Sequence, residues 1–142
     1  MKTLLNKFFV IAVVAVFSAV CVTSYAHHST SAFDRENVIK IEGTVKQFRW
    51  INPHASFKVE GVADNGPDGL WTVEMTAPNV LINQGWKRNS LTEGDKVTVY
   101  VNPLRNAITL DDGSQGGLYV GVVLTDGTAL GRTDGKGQGS DR

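Results

Sequence analysis

Short runs of alternating apolar and polar side chains dominate the chain between residues 38 and 125, a pattern typical of half-buried β-strands. In the first run Ile39, Ile41 and Val45 share one parity, whereas Phe48 and Trp50 fall on the other. Because successive side chains of a strand point to opposite faces, this change of parity predicts a bulge or a strong bend. The first strand is therefore expected to be long and curved.

Two further runs flank the turn-rich segment ADNGPDG and predict a hairpin with Trp71 in the core. Their apolar positions are Ala55, Phe57, Val59, Trp71, Val73 and Met75. The next segment, TAPNVLINQGW, interrupts the β pattern. Pro78 suits a first helical turn and Gly85 suits a helix end, so one short helix is predicted between them.

The remainder of the domain returns to strand patterns. Its apolar positions are Val97, Val99, Val101, Ile108, Leu110, Leu118, Val120, Val122 and Leu124, followed by the Asp126-Gly127 turn. Three strands, a helix and two or three strands predict an all-β fold: a small OB-like antiparallel barrel of five to six strands, with one short helix between strands 3 and 4. A β-sandwich is the structural alternative, because the same alternation would serve two packed sheets.

Residues 1–26 are predicted to be a secretory signal peptide. Lys2 and Lys7 form a basic end, residues 8–22 are apolar, and the Ser24-Tyr25-Ala26 sequence matches the small-x-small cleavage pattern. Cleavage after Ala26 predicts a periplasmic or secreted protein that has no cysteine and, once processed, no membrane partner.

Two alternatives to cleavage after Ala26 stay open. The apolar run is near the lower length limit for a membrane anchor, although no stop-transfer charges follow it. Cys21 would be the modified residue of a lipoprotein, but Val20 before it is bulkier than the small residue that such processing prefers.

The rest of the chain is predicted to divide into a barrel domain, residues 27–130, and a disordered Gly-rich tail, residues 131–142, which is too polar to offset its ordering entropy. Removing Lys2 and Lys7 from the 14 basic side chains leaves 12, against 14 acidic ones. Nucleic acid is therefore not expected as a partner, because such binding requires a concentrated basic face.

The three histidines fall in two short motifs. His27 and His28 directly follow the predicted cleavage site, and His54 ends an Asn52-Pro53-His54 turn predicted between the first two strands. Imidazole is a common metal ligand, and a free α-amine at His27 would add another nitrogen. The pattern predicts a copper site whose ligands are His27, His28 and His54, because nitrogen ligands in a roughly planar arrangement suit Cu(II).

Such a site requires residues 27–37 to fold back toward the turn, and their extended reach is roughly 36 Å. Asp34 and Glu36 are candidates for orienting the ligand rings. Cleavage one residue earlier would instead place His28 third in the chain, where the amine, two amides and the imidazole hold a metal without His54.

The alternative to a metal site is that the first two histidines are solvated and that His54 only fixes its turn through a hydrogen bond. The domain would then be a metal-free interaction module that binds another exported protein or a small ligand. An enzyme ranks third, because the chain contains no nucleophile elbow, phosphate-binding glycine loop or paired carboxylates.

These motifs resemble a family of small exported bacterial proteins of unknown function. The resemblance covers most of the domain after residue 26 and rests on His27-His28-Ser29, Trp50, Asn52-Pro53-His54, Gly85-Trp86, Leu91, Gly94 and Asp95. It implies a periplasmic OB-like domain and brings no established activity or ligand. The Gly-rich tail is longer than in that family.

Overall fold

The computed structural model describes residues 30–106 and 108–137. Its strands are β1 (Ile39–Arg49), β2 (Ser56–Ala63), β3 (Gly69–Glu74), β4 (Lys96–Pro103), β5 (Gln115–Val123) and β6 (Ala129–Gly131). A 3-10 helix, Thr30–Ala32, precedes β1, and the helix α1 (Pro78–Asn83) lies between β3 and β4. The predicted position of the helix is confirmed, and Pro78 occupies its first turn.

The strands form one sheet in the order β3-β2-β1-β4-β5-β6, which is closed by an additional pairing between β3 and β5. The predicted OB-like barrel is confirmed, and the sandwich alternative is wrong. The closing pair is parallel, with Glu74 opposite Leu118, so the five-stranded barrel is mixed rather than wholly antiparallel. Neighbouring strands around the rest of the barrel alternate in direction, and with five strands the last closing pair must run in the same direction.

A bulge in β1 confirms the predicted change of face. Val45 pairs with Val59, but Gln47 pairs with Lys58, so Lys46 is an extra residue on β1. Before the bulge, β1 also pairs with β4, with Ile39 opposite Val101. The bulge bends the strand, as barrel closure requires.

Two glycines allow β1 and β2 to approach closely where they pair. Gly43 lies directly opposite Gly61 in the ladder. A Cβ atom on Gly43 would lie 2.5 Å from the carbonyl oxygen of Glu60, and one on Gly61 would overlap the backbone of Glu42. Neither position has room for a side chain.

The barrel interior is filled by the inward positions of the strands. Trp71 is 1% exposed, which confirms its predicted place in the core. Trp86, which follows α1, packs edge-on against Tyr119, with ring centroids 5.4 Å apart. Aliphatic side chains complete the core, among them Ile41, Val45, Val59, Val73, Leu81, Val99 and Val122.

Pairing at the end of the domain continues past residue 130. In β6, Gly131 pairs with Gly121, and the N–H of Arg132 donates to the carbonyl of Val120 at 2.9 Å. The segment predicted to be a tail therefore begins inside this pairing. Residues 138–142 lie outside the described residues, so disorder of the tail stays a prediction.

None of the helices within residues 30–106 and 108–137 has the length and apolar character needed to cross a membrane. The predicted signal segment, residues 1–26, lies outside that range, and its cleavage stays a prediction.

Candidate functional site

His54 lies in the loop that joins β1 to β2, as the sequence predicts. The residue is exposed, and its Nδ1 lies 3.1 Å from the carbonyl oxygen of Met75. A carbonyl only accepts hydrogen bonds, so Nδ1 carries the proton and donates it. In the neutral ring Nε2 then keeps its lone pair, which makes it the nitrogen available to a ligand.

The ladder between β2 and β3 determines which side chains lie beside His54. Ser56 pairs with Glu74, and the pairing continues past the strand ends through hydrogen bonds between Ala55 and both Met75 and Thr76. Ala55 and Met75 are buried, so the neighbouring positions of opposite parity point outward. His54 is therefore the diagonal neighbour of Glu74 on the outer face, with Cα atoms about 7 to 8 Å apart.

These residues line an open groove of about 430 Å³, hereafter the His54 groove. Its walls are mainly apolar and include Phe33, Ile51, Met75 and Leu118, whereas His54 and Glu74 provide ionisable groups. The volume is in the range of small-ligand sites, and a mostly apolar lining with a few polar groups is characteristic of them.

Glu74 is half-buried in this groove. Within the described residues its carboxylate has no hydrogen bond or ion pair with another side chain. The lysine of β2, Lys58, pairs with Thr72. It is therefore also a diagonal neighbour of Glu74, on the side of Ser56 away from His54. The ammonium of Lys58 instead binds Asp112 at 2.5 Å.

The segment before β1 reaches the same groove across the end of the barrel. Phe33 is 5% exposed, lines the His54 groove and forms an isolated bridge with Leu104. The hydrogen bonds that fix this segment run from Asp34 N to Pro103 O at 2.8 Å, from Arg105 N to Ala32 O at 3.0 Å and from Arg105 Nε to Ser31 O at 3.1 Å. The segment before β1 therefore lies against the end of β4 where it reaches the groove, and it does not run along the length of β1.

Of the predicted metal ligands, only His54 lies within the described residues; His27 and His28 lie outside them. Asp34 and Glu36, predicted as ring-orienting carboxylates, are not the hydrogen-bond partners of His54, whose ring is oriented by the Met75 carbonyl. The Asp34 carboxylate instead accepts the N–H of Glu36 at 3.3 Å and lies 3.9 Å from the Arg105 guanidinium.

In the described part of the chain, no group of three or more His, Cys, Asp or Glu side chains is placed to hold a metal ion. His54 and Glu74 both line the His54 groove, and two such side chains are fewer than a complete metal site requires. Sequence reasoning missed Glu74 as a site residue. The sequence does show that Glu74 has the parity opposite to Val73 and Met75, which predicts an outward side chain. Only the register of β2 and β3 shows that it is a neighbour of His54.

Comparison with known proteins gives one structural similarity and one family. No curated protein matches the chain. A crystal structure of the mitochondrial single-stranded DNA binding protein Rim1 from S. cerevisiae is 15% identical, covers 65% of this chain and 94% of that chain, and has a TM-score of 0.42. This similarity concerns the fold alone and assigns no ligand to this chain.

The structural similarity corrects one expectation from the sequence. Nucleic acid was not expected as a partner because the charge balance of the chain after residue 26 is slightly negative, yet the similar structure is that of a single-stranded DNA binding protein. The expectation is therefore withdrawn, and the similarity, which concerns the fold alone, assigns no nucleic-acid partner to this chain.

The family comparison confirms the resemblance to a family of unknown function; it tests neither the motifs nor export. The match covers residues 14–115, which is well over half of the chain. The chain belongs to DUF6152, a family of unknown function.

Proposed function

We propose that the exported protein, after cleavage behind Ala26, binds a Cu(II) ion through His54 and the nitrogen donors of its amino end, His27 and His28. The observation that carries this proposal is the contact between His54 Nδ1 and the Met75 carbonyl at 3.1 Å. It fixes the ring and leaves Nε2 as the free nitrogen. Metal-binding imidazoles characteristically donate their other N–H to a carbonyl or carboxylate in this way.

The path of the chain supports a meeting of these histidines. Phe33 lines the His54 groove, and His28 precedes it by only five residues. Thr30–Ala32 forms a 3-10 helix, which rises about 2 Å per residue, and two extended residues add about 7 Å, so His28 can lie at most about 13 Å from Phe33 and need not follow β1. The donors then approach the groove from its Phe33 side.

The donor set favours copper. Cleavage behind Ala26 removes Cys21, so thiolates are absent, and the ligands are imidazole and amine nitrogens. Such ligands in a square or tetragonal arrangement suit Cu(II), which also has the highest affinity in the first-row divalent series. An exposed His54 at an open groove fits a protein that takes up and releases the ion, and we infer a role in copper handling or delivery.

A calorimetric Cu(II) titration of protein that begins at His27 tests this proposal. His54→Ala should weaken binding at least tenfold, since even groups one step removed from a metal typically change its affinity 10- to 100-fold. Acetylating the amino end should have a comparable effect. Thr76→Ala is the matched control, because Thr76 lines the same groove without a nitrogen ligand.

Unchanged affinity in a folded His54→Ala protein would contradict the proposal and reduce the site to an ordinary amino-terminal chelate. Folding of each variant is checked by circular dichroism before the titration.

A metal-free small-ligand function is the second candidate, and the apolar lining of the His54 groove favours it. The dye 1-anilinonaphthalene-8-sulfonate should bind metal-free protein, and Leu118→Glu should abolish that binding. The control is Val62→Glu, which places the same charge on a side chain that is 64% exposed and away from the groove. Equal dye binding in both variants would argue against this function.

A further inference from the structure

We propose that Glu74 is an oxygen ligand of the same ion, so that the His54 groove holds Cu(II) with a mixed nitrogen and oxygen set. This inference rests on the proposed copper function and changes the ligand set predicted from the histidines alone. Its supports are the position of Glu74 in the ladder, the absence of a partner for its carboxylate among residues 30–106 and 108–137, and the chemistry of the ion.

The strand register places the two side chains on one face. Glu74 is directly opposite Ser56, and His54 lies two residues before Ser56 with the same parity. Diagonal neighbours of this kind have Cα atoms about 7 to 8 Å apart and Cβ atoms somewhat closer. A metal ion about 2 Å from an imidazole nitrogen and from a carboxylate oxygen fits between two such side chains.

Charge pairing distinguishes Glu74 from the other glutamates of the sheet. Glu42 binds Lys40 and Glu60 binds Lys46, each at 2.6 Å, and both of these carboxylates are well exposed. Glu74 is half-buried and has no cationic partner within the described residues, and the ammonium of its diagonal neighbour Lys58 binds Asp112. A carboxylate in a partly apolar groove is disfavoured unless a cation accompanies it.

The chemistry of Cu(II) matches this arrangement. Tetragonal sites with nitrogen and oxygen ligands are characteristic of the ion. The carboxylate also neutralises one of its two charges, which nitrogen ligands alone would leave uncompensated in the groove. Glu74 would thereby hold the ion beside β3.

The test compares Glu74→Gln with Glu60→Gln in protein that begins at His27. Calorimetric titration should show that Glu74→Gln binds Cu(II) about tenfold more weakly than the wild type, because groups around a metal typically change its affinity by 10- to 100-fold. Glu60→Gln should bind Cu(II) as tightly as the wild type. Infrared difference spectra should show a carboxylate stretching band that shifts when Cu(II) binds. The band should be absent from Glu74→Gln and present in Glu60→Gln, a result that a merely structural role would not produce.

The outcomes separate the two proposals. If His54→Ala weakens binding while Glu74→Gln keeps both its affinity and the shifted band, the Glu74 inference is overturned and the copper function stands. If neither change affects affinity, the copper function itself fails. Should Glu74→Gln not fold, Glu74→Asp replaces it: a retained but displaced band supports coordination, and an unchanged band contradicts it.

Discussion

Asp112 shows at the scale of single residues how the loop before β5 is held on the barrel. Its Oδ1 accepts hydrogen bonds from the N–H of Ser114 at 3.0 Å and from the hydroxyl at 2.6 Å, while Oδ2 binds the Lys58 ammonium. Ser114 is fully buried, and its hydroxyl lies 2.7 Å from that of Thr72. These bonds hold the pKa of Asp112 well below its ordinary value, and the hydrogen bond from Lys58 has the largest effect.

The lowered pKa of Asp112 predicts a specific acid sensitivity. The folded state favours the ionised carboxylate, so its contribution is complete above the unfolded pKa of about 3.9 and is lost as the pH falls further. Asp112→Asn should therefore be less stable than the wild type at about pH 7, and the difference should shrink below about pH 4. Urea unfolding across this range measures it, with Asp111→Asn as the exposed control. A difference independent of pH would contradict the prediction.

Gly61 provides a second test at the residue scale. A methyl group there would meet the backbone carbonyl of Glu42 and the Cα of Gly43, neither of which can move aside cheaply. Gly61→Ala should lower the free energy of unfolding by about 1 to 3 kcal/mol, the usual cost of overpacking. Val62→Ala, at the neighbouring exposed position, should stay within about 0.5 kcal/mol of the wild type. Equal urea midpoints for the two variants would show that the backbones of β1 and β2 leave room for a methyl group at Gly61.

At the scale of elements, Tyr119 links β5 to β6 and to the residue that follows α1. Its hydroxyl donates to the Leu130 carbonyl at 2.7 Å and accepts from the Trp86 indole N–H at 3.2 Å. Burial raises the pKa of Tyr119 to about 12. A three-residue edge strand depends on such an anchor, because its own ladder with β5 is short.

Removing this hydroxyl has an effect that depends on pH. Between about pH 10 and the folded pKa the unfolded chain loses the phenolic proton while the folded chain keeps it, so stability falls as the pH rises. Tyr119→Phe should cost about 1 to 3 kcal/mol at neutral pH, because the Leu130 carbonyl and the Trp86 indole lose a partner. The alkaline decline should also be smaller in the variant; the part that remains comes from groups such as Lys40 and Lys46, whose pKa values are raised by hydrogen bonds to Glu42 and Glu60. Urea unfolding at about pH 7 and pH 11 checks both results, and an identical decline in the variant would contradict them.

At the scale of the whole molecule, the barrel could be predicted because its determinants are local. The parity change after Val45 indicated the bulge, Pro78 and Gly85 bounded the helix region, and Trp71 had the parity of a core residue. The parallel closing pair was missed because no local pattern reports which distant strands meet. Ile108 and Leu110 do not extend a strand, since only Thr109 forms an isolated bridge to Gln115.

The candidate site was less accessible to sequence reasoning. The turn around His54 followed from Pro53, but Glu74 became its neighbour only through the register of β2 and β3. The expected obstacle was the length of β1, which would separate His54 from the amino end. The isolated bridge between Phe33 and Leu104 brings the described start of the chain to the groove, a path set by tertiary packing rather than by any local motif.

The central claim is that His54 and the amino end bind one Cu(II) ion together. Pulsed electron paramagnetic resonance of the copper-loaded protein beginning at His27 tests it most directly, because the remote nitrogen of each coordinated imidazole gives a signal. The account predicts more than one coordinated imidazole in the wild type and the loss of one in His54→Ala, with Thr76→Ala unchanged. An identical imidazole signal in the wild type and His54→Ala would contradict it.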